Sequence, residues 1–189
     1  MSAGGGGKAI LAALGANIAI ALAKTVGAVV TGSSSMAAEA VHSFADSGNQ
    51  VLLLVGGRQA GKDASERHPF GHGRERYFYS FVVALVLFTL GALFAVYEGI
   101  HKIHDPHELD TPVVAIAILL FAIVAETFSF RTAIVESRPL KGDLSWGAFI
   151  RHATTPELPV VLLEDFAALL GLLLALLGVG LTLVTGEPV

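Results

Sequence analysis

Long apolar runs alternate with short charged segments along the chain, and five of the runs approach the roughly 20 helical residues that a bilayer core of about 30 Å requires. They cover approximately residues 9–31, 36–57, 77–100, 112–130 and 158–184. The pattern predicts an all-α fold, a polytopic membrane helix bundle with about five transmembrane helices over residues 8–189. The fifth run, at about 1.5 Å per residue, spans about 40 Å, too long for an upright crossing and too short for two, so it reads as one tilted helix. Residues 1–7, ending in four glycines, read as a flexible tail. The first apolar run is too long, and too far from a small-residue cleavage site, to be a removable signal, so it reads as a retained helix. The segment around Trp146 reads as an interfacial stretch between the fourth and fifth helices.

Lys and Arg orient the bundle, because cytoplasmic connections carry their excess. The connection after the second run holds Arg58, Lys62, Arg67, Arg74 and Arg76, and the one after the fourth holds Arg131, Arg138, Lys141 and Arg151, against Lys102 alone in the opposite loops. The N-terminus is therefore expected inside and residues 185–189 outside. A plasma (inner) membrane is the expected location.

Composition narrows the chemistry. Of the 189 residues, 53% are hydrophobic and 15% charged, and the mean hydropathy of +0.68 is that of a membrane protein. A net charge of -4 and the lack of a phosphate-binding glycine motif give no footprint for nucleic acid or nucleotide. With no cysteine, any metal ligand has to be His, Asp or Glu. Nothing points to a prosthetic group or to an enzyme; the Ser/His or paired-Asp sets of intramembrane catalysis do not occur at plausible depth.

An ionisable side chain at the centre of a span costs at least about 2.5 to 3.5 kcal/mol, so each one asks for a reason. In the second helix Glu39, His42, Asp46 and Asn49 follow at spacings of three, four and three, on one stripe of an α-helix with Gln50 beside it. His42 and Asp46, one turn apart, can approach a single divalent cation together. The fifth helix offers Glu164 and Asp165 at a comparable depth. Only one of these neighbours can face the second helix squarely, and Asp165, the shorter carboxylate, is favoured as ligand, with Glu164 second. Such an N/O site suits Zn²⁺ best and also accepts Fe²⁺, Co²⁺ and Mn²⁺. The bland alternative is that these groups are interhelical hydrogen-bond partners. Asn17 and Asn49 are read that way, Glu39 as an interfacial group or a ligand, Glu126 as a candidate to line the path, Glu98 as a cap, and Lys24 as snorkelling outward. His68 and His72 lie in a loop that Pro69 and Gly71 turn sharply, and they read either as a metal-binding pair or as part of a solvated basic loop.

These residues carry a resemblance to the cation diffusion facilitator (cation efflux) family. It rests on Ser33-Ser-Ser-Met-Ala-Ala-Glu-Ala-Val-His42-Ser-Phe-Ala-Asp46-Ser-Gly-Asn-Gln50 and on His68-Pro-Phe-Gly-His72-Gly-Arg, and it is most similar to the zinc-transporter-like branch. The resemblance implies a homodimer that exchanges a divalent cation, usually Zn²⁺, against protons by alternating access, with His42 and Asp46 at the ligand positions of the second helix. It implies an accessory metal at His68 and His72, although Ser65 stands where an aspartate is usual. Two features depart from the family pattern. Val161 and Ala168 occupy the positions that would complete a four-residue ligand spacing with Asp165 and Glu164. The sequence also reaches Val189 where a sixth helix and a C-terminal metal-binding domain would follow, which reads as a truncation. Since metal ligands must be deprotonated, protons arriving on His42 and Asp46 would displace the ion and couple the two fluxes. The competing reading is a non-transporting subunit that keeps only the helix packing.

Overall fold

A computed structural model describes residues 6–31, 34–86, 89, 92–104 and 112–185, and within the helices it leaves out the side chains of Thr31, Ser34, Ser35, Ala38, His42, Ala95, Glu98, Lys102 and Ile103. The elements are α1 (Gly7–Thr31), α2 (Ser34–Ala60), α3 (Arg74–Val86), α4 (Leu93–His104), α5 (Pro112–Lys141), α6 (Trp146–His152) and α7 (Glu157–Thr185), and no strand occurs among the described residues. Among the described residues three helices are both long and apolar enough to cross a membrane: Gly7–Val30, Pro112–Lys141 and Glu157–Thr185. With 27 residues α2 has the length to cross as well, but its polar stripe lowers its hydropathy.

Each predicted run corresponds to helix, and the differences have local causes. The third run is divided into α3 and α4, with Thr89 and Ala92 in π-helical turns between them. The Thr89 hydroxyl donates to the Leu85 carbonyl at 2.7 Å, the same bond one turn back that Thr127 and Thr132 make within unbroken α5. The fourth helix extends past Phe130 to Lys141. Its basic residues read as loop, yet Ala133 and Ser137 continue the buried stripe of Ala122, Glu126 and Ser129 at spacings of four, three, four and four. In the N-terminal segment Gly7 already begins α1, and Gly6 is buried at φ +112° with its α-carbon facing Leu158. The Trp146 stretch forms the short helix α6, capped by Ser145, whose hydroxyl accepts from the Ala148 amide.

Contacts across the bundle gather both basic connections at the end where α1 begins. Glu136 of α5 accepts the Ala9 amide at 2.9 Å, taking up a donor that the first turn of α1 leaves unsatisfied. Arg76 of α3 pairs with Glu157 of α7 at 2.9 Å, and the Tyr77 hydroxyl donates to the Thr154 carbonyl at 2.9 Å. A core of Ala9, Ile10, Ala13, Leu53, Val83, Ala133, Phe149, Leu158, Val161 and Leu162 fills this end. Further along, Gly56 lets α3 approach α2: a β-carbon there would lie 2.5 Å from Cβ of Tyr79.

Candidate metal path

The polar groups of α2 divide between two neighbours. Ala40, Ser43, Ser47, Asn49, Gln50 and Leu53 are buried, while Asp46 is half-buried beside them. On the α1 side the Asn17 amide donates to Gln50 Oε1 at 3.4 Å. Lys24 donates to Ser43 Oγ at 3.2 Å and pairs with Glu39 at 3.5 Å. Lys24 therefore does not snorkel outward as expected; it turns toward α2, where a carboxylate and a hydroxyl satisfy it. That pairing also places Glu39 as a counter-ion, half exposed near the end of α2 opposite the basic connections.

Gln50 is fully buried and joins α2 to α7, its Nε2 donating to Glu164 Oε2 at 2.7 Å. The neighbouring carboxylate points elsewhere. Asp165, 2% exposed, accepts the Ser129 hydroxyl of α5 at 2.7 Å. Adjacent residues on a helix diverge by about 100°, and here the divergence sends Glu164 to α2 and Asp165 to α5. Glu164 Oε1 is buried with no hydrogen-bond partner, so one oxygen of that carboxylate remains for another ligand.

Glu126 adds a carboxylate to the interior. It is 4% exposed, one turn from Ser129 on the buried stripe of α5, and Asp46, Asp165 and Lys24 lie within electrostatic reach of it. Asp46, Asp165 and Glu126 act in the same way on Glu164. Among the described residues these carboxylates do not close into a group of three ready to hold an ion. The side chain of His42 lies outside the described residues, although its backbone sits in α2 one turn from Asp46. Ser129 and Gln50, which aim the two acids of α7, carry no metal-binding signature. The signal that could have found Ser129 is the stripe Ala122, Glu126, Ser129, Ala133 and Ser137, legible once the helix is extended through its basic residues.

The histidine loop stands apart from this interior. The rings of exposed His68 and half-buried His72 lie with centroids 4.3 Å apart and tilted by 35°, in a turn closed by reciprocal backbone bonds between Ser65 and His68 and by Gly71 at φ +76°. The Ser65 hydroxyl accepts the His68 amide at 3.3 Å, so the residue in the aspartate's place shapes the turn.

A profile of the cation efflux transmembrane domain matches residues 10–189. The chain belongs to the cation efflux family. Among similar cation efflux proteins, the "Proton-coupled zinc antiporter SLC30A9, mitochondrial" of Xenopus laevis is 36% identical over 97% of this chain and 33% of its own length. Its counterpart in Homo sapiens is 33% identical over the same shares. "Metal tolerance protein C4" of Arabidopsis thaliana is 29% identical over 80% of this chain and 34% of its own length. The chain thus spans about a third of the length of these curated relatives. The word mitochondrial in the names of the vertebrate proteins overturns the expectation of a plasma membrane. Charge asymmetry reports which side of a membrane a loop occupies and says nothing about which membrane it is, so that assignment had no physical support in the sequence.

Proposed function

We propose that this cation efflux chain carries a divalent cation, Zn²⁺ first among them, through the bundle in exchange for protons, as a homodimer in a mitochondrial membrane. The ion is held by His42 and Asp46 of α2 and by Glu164 of α7, with Glu126 as a further carboxylate along the path. The observation that carries this reading is the 2.7 Å bond from Gln50 to Glu164, which brings the acid of α7 onto the polar stripe of α2 while the other oxygen of that acid stays without a hydrogen-bond partner. We favour Glu164 over Asp165 as the α7 ligand, because Glu164 faces Gln50 of α2 whereas Asp165 is taken up by Ser129 of α5. His68 and His72 remain a proposed accessory site, their rings already adjacent.

Carboxylate and imidazole ligands bind M²⁺ only when deprotonated, so each proton that arrives competes with the ion for the same lone pairs. Dense acidic groups, rather than one, let this competition operate without an isolated charge facing lipid. In the purified chain, calorimetry with Zn²⁺ should show that Asp46→Asn and Glu164→Gln each weaken binding by more than about tenfold, the loss of roughly one ligand's share. Asp143→Asn, in the exposed connection before α6, should leave binding unchanged. In proteoliposomes a Zn²⁺ gradient should drive proton counterflux. Strong binding in Glu164→Gln with loss in Asp165→Asn would reverse the assignment, and binding without flux would identify a non-transporting subunit.

A further inference from the structure

A cavity of about 350 Å³ opens at the basic end of the bundle between the first turn of α1 and the second half of α5, lined by Lys8, Phe128, Arg131, Thr132, Val135 and Glu136. Its chemistry is mixed in an ordered way. Lys8 stands just before the apolar stretch of α1, and Arg131 follows directly on the apolar stretch of α5, so both cations lie where those helices leave the hydrocarbon. The third charged group, Glu136, already accepts the Ala9 amide through Oε2 at 2.9 Å, and the lining retains a formal charge of +1. Phe128 and Val135 form its apolar wall at 65% and 55% exposure, and Leu11, a turn deeper on α1, is 57% exposed.

We propose that this cavity binds the phosphodiester headgroup of an anionic phospholipid. The Arg131 guanidinium and the Lys8 ammonium, both from residues that line the cavity, supply forked and single donors to phosphate oxygens, and basic pockets between helices at this depth hold acidic headgroups. With the headgroup in this open cavity, the acyl chains lie along the exposed apolar surface of Leu11 and Phe128. The lipid links α1 to α5 beside the Glu136 cap and so stabilises their junction.

The test uses the whole chain purified in detergent, titrated with phosphatidylglycerol, phosphatidylcholine or inorganic phosphate while the melting temperature is followed. Phosphatidylglycerol should raise it saturably and the other two should not. Replacing both cations (Lys8→Gln with Arg131→Gln) should weaken the apparent affinity roughly 30-fold, as expected for two interfacial cations. Thr132→Trp, which fills the cavity and keeps both charges, should abolish the saturable response, and Arg151→Gln, outside the cavity, should preserve it. Should the double variant not fold, Thr132→Trp decides alone. Equal responses to the two lipids, an equal response to inorganic phosphate, or a wild-type response from Thr132→Trp would each overturn the proposal.

Discussion

Glu164 and Asp165 share a peptide bond and answer to different helices. Asp165 is buried against Ser129, and a buried carboxylate that loses a hydrogen-bond donor forfeits about 1 to 3 kcal/mol. Ser129→Ala should therefore lower the thermal stability of the purified chain by that order, and Asp165→Ala, which leaves the Ser129 hydroxyl without its acceptor, should do likewise. The two losses should be non-additive in a double-mutant cycle, because each removes the same contact. Neither variant should change Zn²⁺ affinity by more than about threefold, well under the tenfold expected of a lost ligand. Additive losses, or an affinity collapse in Ser129→Ala, would mean that Asp165 does more than fasten α7 to α5. The sequence made both acids visible as candidates. It could not orient them, since the choice depends on Ser129, thirty-six positions away.

Among the helices, close approach is set by small residues at particular positions. Gly56 and Gly57 are adjacent on α2, yet a β-carbon at Gly56 would strike Tyr79 of α3 while one at Gly57 meets nothing within 4 Å. Gly56→Ala should thus destabilise the chain by about 1 to 3 kcal/mol through overpacking. Gly57→Ala should be neutral or stabilising by up to about 1 kcal/mol, because alanine favours helix. Thermal melts of the two variants in one detergent compare them directly, and similar shifts would contradict the α2–α3 packing described here. The helix order was legible in the apolar runs, because hydrocarbon imposes a length that little else in a sequence imitates. The π-helical turns at Thr89 and Ala92 were not legible, since the apolar run passes through them without a change in pattern. Nor was the extension of α5: Arg131 and Arg138 read as loop, although a long helix can carry charges once it has left the lipid.

For the molecule as a whole, the bonds that join Ala9 to Glu136 and Arg76 to Glu157 collect the basic connections at one end. From that end α7 runs 29 residues, about 43 Å, enough to carry Thr185 across the bilayer. Reporters fused at the N-terminus and after Val189 should accordingly be found on opposite sides of the membrane, and the same side for both would refute an odd number of crossings. The bond between Gln50 and Glu164 also has a meaning in time. The two residues are 114 positions apart, and at roughly 5 to 20 residues per second the ribosome needs roughly 6 to 23 seconds to travel from one to the other. Throughout that interval the least apolar of the long helices is already made while its acidic partner does not yet exist. Asn17, synthesised earlier, is available to occupy the carboxamide oxygen of Gln50 as soon as the first two helices pair, before Glu164 is made.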